Sequence, residues 1–332
     1  MQSSPKSNKK CSQSNLHSFF KITPPSEPKH KKCFIYDPEN KTAGFDYQPL
    51  DTDTFIVAKS SIKLYYRKPI TSIDIQAPLH SGASTTINVP LLKSNLQKAV
   101  RRCHNSIAIQ SAIQLIHLDI TQFLRRLPII YIEDVCLMDS FPMVIWLMMA
   151  DKQYTITPTD IDILLHCVNG LCDCKKAIEC RTDPVTTNYS HEDLENLQMQ
   201  TQLLSLYYRA QYGGLGGDMR MLENAIEYYM HNPDSIEKTQ YGIINYDELR
   251  NMDIEILAEA IDFHPFPHML SILEKKTGLD KLVIKEYIWV TESGYNIRKS
   301  ETMQKSQRYM AREEWRIINQ YLDSVRDLLF SP

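Results

Sequence analysis

The spacing of apolar residues changes once along this chain, near Leu91, and that change limits the fold more than any other feature. Between Cys33 and Pro90 the apolar residues come in short β-branched or aromatic runs, "CFIYD", "TFIVAK", "IKLYYRK" and "SIDIQA", separated by Pro, Asn, Asp and Gly. Runs of this kind predict a small sheet, a hairpin or meander of roughly four strands. From Leu91 the period becomes helical: "LLKSNLQKAVRR" sets Leu92, Leu96 and Val100 four apart, the stripe of an amphipathic helix. The expected class is α+β, mainly α with a small N-terminal β-rich element. The expected organisation is a tail at 1–32, the β-rich element at 33–90 and a helical body at 91–332.

Within the body, "SIAIQSAIQLIHL" continues the helical spacing and "ITQFLRRL" is expected to end against Pro128. "TPTDIDILLHCVNG" opens with a Thr-Pro-Thr-Asp start signal and is expected to stop at Gly170. "SHEDLENLQMQTQLLSLYYRAQYGG" is the longest candidate, from a Ser190 cap to a Gly213-Gly214 stop. Further helices are expected at 218–231, 246–260, 279–290 and 305–330. No period of 20–50 residues repeats, so a solenoid is not expected. At 332 residues and 43% hydrophobic composition, the chain can bury one large core or two medium ones.

Residues 1–32 carry seven lysines against the single acid Glu27, which leaves the remainder clearly acidic. This tail, rich in Ser, Lys, Pro and Asn, cannot offset the entropy of ordering and is expected to be disordered when alone. Attraction to nucleic acid must then come from the tail or from local patches. Met1 to Lys10 is polar throughout, and the most apolar run, "FPMVIWLMMA", has about half the length a bilayer requires. The expectation is a soluble intracellular protein with no membrane partner. Its eight cysteines should be thiols or metal ligands rather than disulfides.

One stretch of the tail breaks its pattern. In "QSNLHSFF" the apolar groups Leu16, Phe19 and Phe20 fall at i, i+3 and i+4, so a single tight turn places them side by side, with Gln13 beside them. Two aromatics and an aliphatic on flexible flanks are what an anchor peptide needs to fill a pocket. The spacing resembles the PCNA-interacting peptide (PIP box), with Gln13, Leu16, Phe19 and Phe20 at its four positions and Lys9, Lys10 and Lys21 as basic flanks. The "SFFK" ending resembles the tails of mismatch-repair proteins, uracil-DNA glycosylases and replicative DNA ligases. The resemblance covers some eight residues and implies the PCNA sliding clamp as partner. It also implies a eukaryotic, archaeal or large-DNA-virus context, hence a nuclear or viral-replication location.

The body lacks the GxxxxGK[ST], GxSxG and HExxH motifs, a kinase set and paired CxxC motifs, so no ATPase, kinase, protease or hydrolase signature is present. "NLQKAVRRCHNSIAIQSAIQLI" with "FLRRLPIIYIEDVCL" resembles the C-terminal helical region of clamp-loader-type AAA+ ATPases, without the ATPase module. Arg101, Arg102, Arg125, Arg126, Glu133 and Asp134 occupy comparable places.

Four groups of residues carry possible chemistry. Lys98, Arg101, Arg102, Arg125 and Arg126, helped by Lys93, read either as one basic patch for DNA phosphates or as partners of Glu133, Asp134 and other acids. His166, Cys167, Cys172, Cys174 and Cys180 offer enough soft ligands for zinc, although the spacing equally suits buried thiols. Asp262, His264 and His268, completed by Asp218, Glu255 or Asp253, could hold a divalent metal for phosphodiester hydrolysis. They also read as a loop entering a helix at Pro267. "IWVTESGYNIRKS" interleaves Trp289 and Tyr295 with Arg298 and Lys299, which suits stacking on a strand or a helix–loop–helix with Trp289 in the core. Two functions follow as expectations: a PCNA-tethered accessory protein of replication or repair, or a PCNA-recruited metal-dependent nuclease.

Overall fold

A computed structural model describes residues 33–46, 48–59, 62–68, 88–178, 201–250, 253–262 and 266–330. It is mainly α with a small N-terminal sheet, as the periodicity predicts. Strands β1 (Cys33–Asp37), β2 (Thr42–Asp46), β3 (Asp53–Lys59) and β4 (Ile62–Arg67) lie in the order β2-β1-β4-β3. β1–β2 and β3–β4 are antiparallel, and β1 runs parallel to β4 with Cys33 opposite Lys63. The turn between β1 and β2 is held by the Asp37 carboxylate, which accepts from the Asn40 backbone N–H (3.0 Å) and side-chain amide (2.9 Å). Lys41 follows at φ 51°, a left-handed position an Asn-Lys turn requires.

The helices are α1 (Val89–Arg101), α2 (Asn105–Asp134), α3 (Phe141–Ala150), α4 (Pro158–Asp173), α5 (Thr201–Gln211), α6 (Gly216–His231), α7 (Tyr246–Arg250), α8 (Ala258–Ile261), α9 (Phe266–Thr277), α10 (Lys281–Ile288), α11 (Ser300–Met310) and α12 (Glu313–Phe330). Asn88 caps α1 by accepting from Leu91 N at 3.0 Å, and the stripe Leu92, Leu96 and Val100 is fully buried. α4 starts with a capping box between Thr157 and Asp160. Asp160 also accepts from Tyr36 Oη of β1 (2.7 Å) and Tyr154 Oη (3.0 Å), so one buried carboxylate locks sheet to helix. Trp146 of α3 donates its indole N–H to the Phe34 carbonyl (3.0 Å) and stacks on Tyr36.

Three expectations are corrected. α2 does not end at Pro128 but runs to Asp134; its break lies at Asp119 (φ −161°, ψ 87°), whose carboxylate caps the second half by accepting from Gln122 N (3.0 Å). The cost of an interior proline, about 3 kcal/mol, is offset by burial of Phe123, Leu127, Ile129, Ile130 and Tyr131. α2 has the length and apolarity to cross a bilayer, but 67% of its most apolar window is buried within this body, which makes it a core helix. The 246–260 stretch is not one helix: Asn95 of α1 donates to the Glu255 carbonyl (2.9 Å) and accepts from Leu257 N (2.8 Å), taking backbone groups a helix would use. The last predicted helix is two, α11 and α12, with a turn at 311–312. Of the longest candidate, only α5 falls within the described residues.

The buried apolar residues form two clusters. The larger joins the sheet to α1–α6; the smaller unites Met269, Leu273, Ile284, Ile288, Ile318 and Leu322 from α9, α10 and α12. Between them lies a polar joint.

Candidate functional site

The five residues predicted as one DNA-facing patch separate into two environments. Lys98, Arg101 and Arg102, at the end of α1, are turned into the joint between the two apolar clusters. This corrects the expectation that they face DNA. Arg101 is buried; its guanidinium pairs with Asp134, with Glu133 (2.7 Å) and with the Ser293 carbonyl (2.6 Å). Gln97 donates to the same two carboxylates at 2.9 and 2.8 Å. Arg102 binds Glu259 (2.9 Å) and the Glu292 carbonyl (2.6 Å). Lys98 is 2% exposed, and burial together with neighbouring Arg101 lowers its ammonium pKa to about 7. The alternative weighed from the sequence, that the arginines serve acids of the body, describes this half of the set.

The C-terminal side of the joint is equally polar. Arg326 of α12 grips both oxygens of Asp262 (3.0 and 2.8 Å) and reaches Glu292 at 3.4 Å. Burial, with Glu259 and Asp262 nearby, raises the Glu292 carboxyl to about 7, against the opposing pull of Arg326. Arg298 donates to the carbonyls of Val100, Leu171, Cys172 and Cys174, the exposed ends of α1 and α4, and Lys299 to that of Glu133. These two bases therefore splice backbone ends together rather than lining a strand-binding face. Trp289, expected in the core under the helix–loop–helix reading, is 47% exposed on the π-helical turn 289–293.

Arg125 and Arg126 lie elsewhere. They sit on the second half of α2, after the Asp119 break, and meet Lys93 of α1 and Arg209 of α5. Arg209 is 3% exposed; its terminal nitrogens donate to the carbonyls of Gly213 (3.2 Å) and Arg125 (3.3 Å), while its Nε has no partner. The Gly213 carbonyl is presented by a left-handed turn (φ 87°) that favours glycine. Arg126 is half-buried, its Nε likewise without a partner, and Arg125 is exposed. Lys93 donates to Gln122 (2.9 Å), and burial followed by Arg126 and Arg125 lowers its pKa. Asp119 and Asp218 are within electrostatic range, yet no ion pair among the described residues includes any of the four bases. Four cations held together with two unfilled guanidinium donors can accept an anion. Arg209 escaped the sequence reading because 84 positions separate it from Arg125.

The metal readings fare differently. Asp262 is fully buried with its carboxylate occupied by Arg326, and His268 is exposed at the start of α9. Asp218 lies on α6 beside the cationic cluster instead, and His264 falls outside the described residues. The prediction of a helix entered at Pro267 describes α9. His166 Nδ1 sits 2.8 Å from the Asp162 carbonyl oxygen, and the Cys167 thiol is buried beside Tyr131 and Ser140, with its pKa raised to about 11 by burial. Cys172 is buried separately, and Cys174 pairs with Cys136, Sγ to Sγ 3.6 Å. The zinc set is thus dispersed, with Cys180 outside the description; no group of three or more His, Cys, Asp or Glu among the described residues could hold a metal ion. Gln13, Leu16, Phe19 and Phe20 also lie outside the described residues. No protein family, curated protein or solved structure matches the chain.

Proposed function

We infer that this chain is an accessory protein of DNA replication or repair, tethered to the PCNA sliding clamp through Gln13, Leu16, Phe19 and Phe20. Its body contacts DNA or another replication protein. The observation that supports this is the "QSNLHSFF" spacing: an aliphatic and two aromatics at i, i+3 and i+4 in a lysine-rich stretch with few other apolar residues. A tether raises the local concentration of the body at the clamp, so weak contacts from an overall acidic body suffice once it is delivered. The accessory role is favoured over a nuclease because Arg326 occupies the carboxylate that a metal centre at Asp262 would need. A clamp-bound role places the protein in the nucleus or at a viral replication site.

The test is anisotropy of a labelled peptide spanning Lys6 to Glu27 titrated with PCNA, with a Phe19→Ala/Phe20→Ala peptide as control. Micromolar or tighter binding that the control loses is the expected result. No binding at high clamp concentration removes the clamp reading.

A further inference from the structure

We propose that Lys93, Arg125, Arg126 and Arg209 form a binding site for the phosphate oxygens of a nucleic-acid backbone. Three helices distant in sequence, α1, α2 and α5, bring the four bases together, and no carboxylate closes on them as Glu133 and Asp134 close on Arg101. Like charges held in mutual range repel, an effect visible in Lys93, whose ammonium both arginines disfavour. Burying Arg209 without a counter-ion adds a desolvation cost, and its Nε and that of Arg126 remain unfilled donors. An anion satisfies both deficits at once.

The chemistry of the donors selects the anion. Guanidinium forks match phosphate oxygens, and a set that combines two partly filled forks with an exposed Arg125 and a Lys93 ammonium exceeds what one carboxylate can satisfy. The three clefts at 35–67, 120–156 and 310–319 are lined by none of these four side chains. The ligand therefore lies across the surface of α2, as a repeating phosphodiester chain can, with Arg125 reaching outward. Naming nucleic acid over other polyanions rests on the DNA-associated role inferred above; the site itself does not.

The test uses the full chain without PCNA. Anisotropy of labelled DNA oligonucleotides, single-stranded and duplex, is followed over a salt series for wild type, Arg125→Gln/Arg126→Gln and the control Lys275→Gln/Lys285→Gln, which removes equal charge from exposed positions of α9 and α10. The expected result is binding weakened about tenfold or more in the first variant only. The slope of log K against log salt should shrink by about 1.5 to 2, from roughly 0.7–0.9 per released phosphate contact. Equal losses in both variants, or no loss in either, overturn the site. Competition by polyglutamate as effective as unlabelled DNA overturns nucleic acid as the ligand.

If the double variant does not fold, dicarbonyl modification of wild-type arginines is read by mass spectrometry. Arg125 and Arg126 should be protected by DNA, and their unchanged labelling overturns the proposal. A Phe19→Ala/Phe20→Ala chain should bind DNA as wild type does, so failure of the clamp assay and failure of this site are separate results.

Discussion

Arg101-Arg102 and Arg125-Arg126 are the same dipeptide 24 positions apart on consecutive helices, and the fold treats them oppositely. The first pair is enclosed by Glu133, Asp134 and Glu259 and by backbone carbonyls from 292 and 293. The second pair is joined by two further cations and no close acid. A buried arginine matched by carboxylates belongs to the architecture, because removing one partner strands the other's charge. A cationic group kept without partners contributes repulsion, and a chain that retains it gains something other than stability.

Stability measurements should break or sharpen this contrast. The largest effect is expected at the enclosed pair: Arg101→Met should lower the urea-unfolding free energy by about 3–5 kcal/mol by leaving Asp134 buried and unpaired, and Arg101→Met/Asp134→Leu should recover part of it. A loss below about 1 kcal/mol would mean the joint is wetter than described. pH gives the next effect. Glu292 titrates near 7 in the fold against 4.5 unfolded, so the folded state holds the extra proton and stability falls as pH rises through that window. Lys98 titrates near 7 against 10.5, so the unfolded state holds the extra proton and stability rises from pH 7 toward 10.5. Thermal melts should place the minimum of the joint's contribution near pH 7. Glu292→Gln should flatten the acid limb and Lys98→Met the alkaline limb, each by on the order of 2–3 kcal/mol over its window.

A smaller effect of opposite sign is expected at the exposed pair. Arg125→Gln should leave stability within about 0.5 kcal/mol of wild type or raise it by relieving Lys93, as differential scanning calorimetry would register. Destabilisation comparable with that of Arg101→Met would erase the distinction. The smallest concerns the thiols beside the joint. The hydrogen bond from Cys136 lowers the Cys174 thiol to about 6 while Cys136 is raised, so at pH 7 iodoacetamide should label Cys174 first. Cys136→Ala should slow that labelling several-fold, read by peptide mass spectrometry.

Local signals in the sequence were read correctly where they decide structure locally. The 92/96/100 stripe, the Thr157 start and the aromatic strand runs each describe an observed element. They misled where a distant group intervened: Asn95 dismantles helix 246–260 from 160 positions away, and core burial carries α2 through Pro128. The candidate site behaves in the same way. Nothing beside Arg101 in the chain announces the Ser293 carbonyl, and nothing beside Arg125 announces Arg209, so charge composition alone merged two patches that topology separates.

The joint's reach along the chain also bears on how the protein is made. Asp134, Glu133, Arg101 and the carbonyl ends of α1 and α4 are all synthesised before Glu292, Arg298 and Arg326 leave the ribosome. Residues 33–250 can bury their larger apolar cluster early, yet the polar ends stay solvated until the last seventy or so residues arrive, at roughly 5–20 residues per second. The C-terminal helices thus act as the closing piece of assembly. A chain cut short before Tyr295 would keep most of its apolar interior and expose a row of charges evolved to meet one another.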